Sequence, residues 1–438
     1  MDPATTARKH LSADALFRLL RSEFKAIPEQ RSEPEIALAD ALMAGFAVFS
    51  LKHPSLLAFE HERQTNEFNL KGIFGLKRVP CDTQMRSILD DVEPQQLRPA
   101  FRSIFRQLQR GKVLEPMVFW QGHYLIASDG TTYHASEQVH CPACLEKKSR
   151  NGVMTYYHQM LGLALVHPDH KEVIPLCPEP IIKQDGSQKN DCERNATRRA
   201  LDHFRREHSN LPVIFVEDAL NANAPHLRDL RDHRIRFILA VKPGSHGFLF
   251  QQLQQADETG RTQVLTLVDD KNTLHHFRWL TDVSLNEANP EERVNLLDYW
   301  EIHADGKVQH FTWITDLPVD ADAVWSIMRG GRARWRIENE TFNTLKNQGY
   351  RFDHNYGHGA KNLSVVFALL MMLAFLVDQT QQLCDSLFQA AWQKMSSKRR
   401  LWEWVRNLFR TFRLESMRQL YELLLNFELQ EPPLGDTS

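Results

Sequence analysis

The order of extended and helical segments between residues 117 and 244 constrains this chain more than any other feature. "MVFWQGHYLIASDGT", "TYYHQMLGLALVHP" and "EVIPLCPEPI" are apolar or alternating runs that read as three strands. "DCERNATRRALDHFRREH" reads as an amphipathic helix, "LPVIFVEDAL" as a buried strand, "PHLRDLRDHR" as a helix and "IRFILAVKPG" as another strand. A β-β-β-α-β-α-β order buries its apolar surface by packing helices on a mixed sheet. The fold class is therefore α/β, and α+β over the whole chain.

The flanks read differently. Residues 1–113 carry helical periodicity: Ser12 stands as a capping serine before "ADALFRLLRSEFK", and "EIALADALMAGFAVFSL" is a more buried helix. In "PQQLRPAFRSIFRQLQRG", Arg98, Arg102, Arg106 and Arg110 recur every four residues away from an apolar side of Phe101, Ile104, Phe105 and Leu108. That stripe is either a solvated face or a row of phosphate contacts. Residues 247–318 hold "TQVLTLVDD", "LHHFRWLTDVSL", "VNLLDYWEIHADG" and "VQHFTWITDL", four strand-like runs separated by polar turns. The expected segments are 1–113 (helical), 114–246 (α/β), 247–318 (a β-rich insertion), 319–378 (the end of the α/β part) and 379–438 (helical).

Composition narrows the functional class only in part. With 438 residues, 42% hydrophobic and 25% charged, the chain suits two or three ordinary globular domains. The balance of 53 Lys and Arg against 55 Asp and Glu leaves no global basic excess, so a nucleic-acid partner has to be met by local basic patches. The N-terminus is polar and charged, without a signal peptide, and the six cysteines are expected to be reduced in the cytoplasm. The longest apolar run, "VVFALLMMLAFLV", has 13 residues, which suits a buried core helix and not a bilayer span.

Three acids stand out. Asp129 follows the first strand and Asp218 follows "VIFV", both at the sheet rim where α/β sites lie. A third acid on a helix would complete a set able to hold two Mg2+ ions, which take oxygen ligands and support phosphodiester chemistry. "RWRIENETFNTLKNQGY", from Arg334 to Tyr350, offers two candidates. On an α-helical wheel Trp335, Phe342 and Leu345 share one face, with Glu338 in its middle and Ile337 off the stripe. Glu340 falls nearly opposite, beside Arg336. A carboxylate on an apolar face is costly unless paired or metal-bound. Arg334, one turn earlier, is a possible partner for Glu338, and metal coordination is the functional alternative.

These residues resemble the DDE transposases of bacterial insertion sequences, in the group whose ribonuclease-H-like core carries a β-strand insertion before the third acid. The group's signature is Tyr-x2-Arg-x3-Glu-x6-Lys, often with Arg-Trp-x-Ile-Glu. Here "RWRIENETFNTLK" supplies Arg334, Trp335, Ile337, Glu338, Phe342, Leu345 and Lys346, and the likeness extends from about Met117 to Asp378. Gly331 occupies the tyrosine position, and Lys346 falls one residue late. Arg336-x3-Glu340 also satisfies part of the pattern, but the wheel and the Arg-Trp-x-Ile-Glu match favour Glu338.

The resemblance implies a metal-binding catalytic triad of Asp129, Asp218 and Glu338, holding two Mg2+ or Mn2+ ions. It implies DNA contacts from Arg334, Arg336 and Lys346, and stacking on a flipped base by Phe311 or Trp313 in "HFTWITDL". It further implies a homodimer that binds the transposon ends and target DNA, a DNA-binding role for residues 1–113, and a bacterial, nucleoid-associated setting with no membrane partner. A domesticated DNA-binding relative, or a metal-dependent nuclease without strand transfer, would share most of these features.

Outside that constellation, "HCPACL" places Cys141 and Cys144 two residues apart, flanked by His134 and His140, with His158, Cys177 and Cys192 downstream. One Cys-x2-Cys pair is half of a structural zinc site, which Cys177 and Cys192 could complete; the alternative is ordinary reduced cysteines in a connecting loop. "DHNYGHG", Asp353 to Gly359, reads as a tight loop in which His354 and His358 either touch phosphate or metal or are plain loop residues. "SSKRRLWEWVRNLFRTFR" reads as a basic amphipathic helix docked by Trp402, Val405, Phe409 and Phe412, its basic side either facing DNA or simply solvated.

Overall fold

The strands that the sequence predicts assemble into one mixed sheet in a computed structural model that describes residues 8–183 and 190–427. The strands are β1 (Val118–Trp120), β2 (His123–Ser136), β3 (Leu145–Lys148), β4 (Met154–His167), β5 (His170–Pro175), β6 (Glu179–Ile181), β7 (Val213–Glu217), β8 (Arg236–Ala240), β9 (Gln263–Val268), β10 (Leu274–Asn286), β11 (Asn289–Ile302) and β12 (Val308–Thr315). Their order is β3-β4-β2-β7-β8-β12-β11-β10-β9, with β1 on β2 and both β5 and β6 on β4. β2, β7 and β8 run parallel, while β4 and β12 flank them antiparallel. This is a ribonuclease-H-like order, extended at one edge by the insertion. The central β7 is buried at every position, as a strand covered on both faces must be.

Two compact units make up the chain, residues 114–343 and residues 1–113 with 344–438. In the first, the helices Glu193–Glu207 and Ala224–Asp232 pack on one another, and Val324–Ala333 lies on β7 and β8. The insertion begins with a helix, Gly247–Glu258, laid on β10, before its four-stranded antiparallel meander.

The second unit is helical. Leu363–Cys384 is its central helix: all of its positions from Val365 to Gln382 are buried, and it packs on the wholly buried Leu38–Ser50. The 13-residue apolar run thus belongs to a 22-residue helix, long and apolar enough to cross a membrane by length and composition but enclosed by protein. Its place among the N-terminal helices differs from the sequence expectation, which gave residues 344–378 to the α/β part. A helix apolar on every side has no solvent face and needs a bundle around it. One ion pair, Lys52 Nζ to Asp378 Oδ2 at 2.6 Å, is buried at this core, and Tyr350 donates to the same carboxylate. Arg410 pairs with Glu62 at 2.9 Å and Arg406 donates to the Leu51 and Lys52 carbonyls, so these two arginines of the basic helix serve the bundle. Ser12 occupies the N-cap position of Ala13–Lys25 without a side-chain cap bond.

Candidate active site

Asp129 does not end its strand. β2 continues through Thr131, Thr132 and Tyr133, residues that favour extended backbone, so Asp129 sits mid-strand opposite Gly162 of β4. The parallel register with β7 runs from Tyr124 to Ala127, which pairs with Val216. One further step sets Ser128 against Glu217, and the next sets Asp129 beside Asp218, just past the end of β7. Alternation along both strands sends these two pairs to opposite faces of the sheet.

The Ser128 face is closed. Ser128 Oγ donates to Glu217 Oε1 at 2.5 Å, and His226 Nε2 lies 2.5 Å from Glu217 Oε2. All three side chains are buried. Burial disfavours a charged imidazole, but the Glu217 carboxylate outweighs it and raises the His226 pKa. The Glu217 carboxylate can only accept, so His226 Nε2 is the donor of this pair.

The Asp129 face is crowded with acids. Burial pushes the Asp129 carboxyl up, Arg334 opposes it, and contacts with Glu338 and the charge of Glu193 push it further, to about 7. A single guanidinium nitrogen serves two carboxylates: Arg334 Nη1 is 3.2 Å from Asp129 Oδ2 and 2.9 Å from Glu338 Oε1. Asp218 Oδ1 accepts from the Leu220 amide at 2.9 Å, which fixes the turn it opens. Glu193 is a fourth acid that sequence reading misses. Its carboxylate fills the space beside Gly130, where a Cβ would stand 2.4 Å from its Oε2. Burial and the charges of Asp218 and Glu217 raise its pKa. At the first position of its helix it reads simply as an acid complementing the helix dipole.

The helix that carries Glu338 departs from the α-helical wheel. The turn over Ile337–Phe342 is a π-turn, which re-phases every side chain after it. Ile337, the exception on the wheel, is fully buried, and Trp335, placed on the apolar face, is 51% exposed. Phe342 reaches β4 at Gly162, where a Cβ would lie 2.8 Å from its ring. Glu338 is 36% exposed and Glu340 28%, so burial does not separate them. Their partners do: Glu338 shares Arg334 with Asp129, whereas Glu340 pairs with Arg336 at 3.3 Å.

Beside this helix lies a cavity of about 650 Å³, lined by Tyr299, Phe311, Trp325, Trp335, Arg332 and Arg336. The Phe311 ring lines it with the Arg332 guanidinium 5.1 Å away, and Arg332 also pairs with Glu301. Trp313 stacks on Phe311 at 5.7 Å but is only 3% exposed. Its indole sits under Gly331, where a Cβ would come within 2.4 Å of Nε1. Of the two aromatic candidates, Phe311 alone faces open space, and base stacking by Trp313 is corrected accordingly. The same contact explains the glycine at the tyrosine position.

Lys346 lies in the helical unit, 3.6 Å from Asp353. There His354 packs edge-on against Tyr356, and His358 Nδ1 lies 3.0 Å from Asn355 Oδ1. The cysteine expectation needs one correction. Cys141 and Cys144 lie together, but His158 joins them rather than Cys177, whose thiol faces the Pro178 carbonyl, or Cys192, exposed at the N-cap of Glu193–Glu207.

A ribonuclease-H-like sheet with carboxylates gathered from two parallel strands and a following helix defines a class, the DDE enzymes. Residues 120–376 match the transposase DDE domain family, and the chain belongs to that family: it is a DNA-cutting transposase. No curated protein matches the chain. Among solved structures, a piggyBac transposase synaptic complex with hairpin DNA is similar at a TM-score of 0.40 and 10% identity, over 99% of this chain and 87% of that one.

Proposed function

We propose that this transposase binds the two ends of its own insertion sequence as a homodimer, and that Asp129, Asp218 and Glu338 are its catalytic triad. The reading is carried by one observation: Asp129 and Glu338 meet at a single Arg334 nitrogen, with Asp218 next in register. An acid raised to about 7 among further acids is under-compensated by one guanidinium. Such an all-oxygen donor set suits a hard divalent cation, Mg2+ or Mn2+, in two ions. When bound, these ions supply charge neutralisation and activation of the attacking hydroxyl.

The chain's own groups do the rest by positioning. With divalent ions held by the three acids, Arg334 would be available to contact the scissile-end phosphate. Lys346, one-third exposed, is a further contact to DNA phosphate. Phe311 stacks on a base displaced from the end, with Arg332 and Arg336 on its phosphates. Water first cleaves the end and frees a 3′-hydroxyl. That hydroxyl then attacks a target phosphodiester in line, and the target's own 3′-oxygen leaves. The π-turn admits one extra residue into the helix, the same size as the offset of Lys346 in the family signature.

The test is incubation of the purified chain with DNA bearing the element's ends, in Mg2+ or in EDTA. The expected result is Mg2+-dependent cleavage and joined product, both lost in D129N, D218N and E338Q. Binding without cleavage would overturn the catalytic reading, and cleavage without joining would make the chain a nuclease.

A further inference from the structure

The hairpin of β2 and β4 carries a second polar cluster that the transfer chemistry does not use. Cys141 Sγ lies 3.7 Å from Cys144 Sγ, and both sulfurs are 3.3 Å from His158 Nε2. All three side chains are buried. The sulfurs are too far apart for a disulfide, which needs about 2.05 Å. They are spaced for a shared metal instead: with zinc–sulfur bonds of about 2.3 Å and zinc–nitrogen bonds of about 2.0–2.1 Å, tetrahedral edges are about 3.8 Å between sulfurs and about 3.6 Å from sulfur to nitrogen.

The local backbone supports that use. The Cys144 amide donates to the Cys141 carbonyl at 3.1 Å, and the Cys141 amide points at Cys144 Sγ at 3.4 Å. The tight Cys-x2-Cys turn thus converges both sulfurs on one point. His158 comes from a different element, mid-β4, where it pairs with His134 of β2. A bond to all three closes the segment between β2 and β4 onto the sheet. In register terms His134 is five residues beyond Asp129, about 16 Å along the strand, so this cluster is separate from the acids.

We propose that Cys141, Cys144 and His158 are three ligands of a structural zinc ion that ties the β2–β4 connection to the strand next to Asp129. Two thiolates and an imidazole favour zinc over the hard cations of the acid cluster, so the two sites sort their metals by ligand chemistry. The proposal does not rest on the catalytic reading, because zinc content is measured without activity.

The test uses the full chain, purified without an affinity tag that binds metal, with zinc measured by mass spectrometry and Co2+ substituted for spectroscopy. The expected result is about one zinc per chain, and for the Co2+ form the intense ligand-field absorption of a tetrahedral site with thiolate-to-cobalt charge transfer. C141S and C144S should fall to about a tenth of that content, while H158C, which supplies a thiolate in place of the imidazole, should retain zinc and native circular dichroism. D129N and E338Q should keep their zinc. A wild-type chain without zinc that also gives only octahedral Co2+ spectra overturns the proposal, as does zinc that survives in both serine variants. A Cys141–Cys144 disulfide found by mass spectrometry under reducing purification overturns it equally.

Discussion

Ser128 and Glu217 on one face of the β2–β7 pair, and Asp129 and Asp218 on the other, are neighbours in sequence and opposites in chemistry. On the first face each carboxylate oxygen of Glu217 has its own donor, one hydroxyl and one imidazole. On the second, Asp129 and Glu338 crowd together and share Arg334 Nη1, while the charge of Glu193 reaches Asp129 across the strand from the gap beside Gly130. Both faces take charge out of water, but only one neutralises it from within. A buried network that satisfies itself fixes geometry. One that leaves negative charge uncompensated is a site that expects a cation. The first face holds the two strands in the register that brings Asp129 and Asp218 together.

Breaking the second face should cost activity and not the fold. D129N, D218N and E338Q are each expected to lower end cleavage by about a thousandfold or more, with unchanged circular dichroism. Breaking the first face should do the reverse in order: E217A removes the buried carboxylate that Ser128 and His226 share and should destabilise the fold by about 3–5 kcal/mol, read in a urea titration. Its activity should fall because the acids lose their register. If E217A unfolds like the wild type, the closed face is not the scaffold described above.

A smaller effect is expected where the insertion meets the helix before Glu338. G331A should cost about 1–3 kcal/mol by pressing on the Trp313 indole, and restoring the family's tyrosine there should cost more. A W313A/G331A double variant that relieves the G331A penalty would sharpen the point.

The faces also differ in pH response. Asp129 is raised from an ordinary 3.8 to about 7, so its protonated form favours the fold. That contribution is fully present below pH 3.8 and is lost as pH rises through 7. Without metal, the wild-type Tm should fall between pH 5 and pH 8 by about 2 °C more than that of D129N. Mg2+ should recover the difference at pH 8 in the wild type only. An equal decline in both proteins would mean that Asp129 carries no such strain. The smallest effect belongs to E340Q, which removes only a partner of Arg336 and should leave cleavage within about threefold of wild type.

Much of this was legible in the sequence. The alternation and order of strands point to the sheet, but the pairing that sets "ASDG" beside "FVED" joins β2 to β7 across four intervening strands and a helix, which local sequence does not specify. The α-helical wheel favours Glu338 over Glu340 but fails in detail. A π-turn has no periodic signature, so Trp335 and Ile337 exchanged places, and the structural preference for Glu338 comes from Arg334 and Asp129 instead. Glu193 was hidden because a first-turn acid is ordinary. His158 carries no spacing that joins it to Cys141 and Cys144, since the pairing of β2 with β4 decides which downstream ligand reaches them. Phe311 and Trp313 were equivalent until the packing of Gly331 separated them.

The most direct test of the central claim, that the acid-rich face is a divalent-cation site, is Mn2+ binding to the purified chain followed by electron paramagnetic resonance. The wild type and E340Q should each bind two Mn2+ per chain at pH 8, with affinity weakening as pH falls through 7 and Asp129 takes up its proton. D129N and E338Q should lose at least one of the two. Binding by E338Q that matches the wild type, with loss in E340Q, would contradict the assignment.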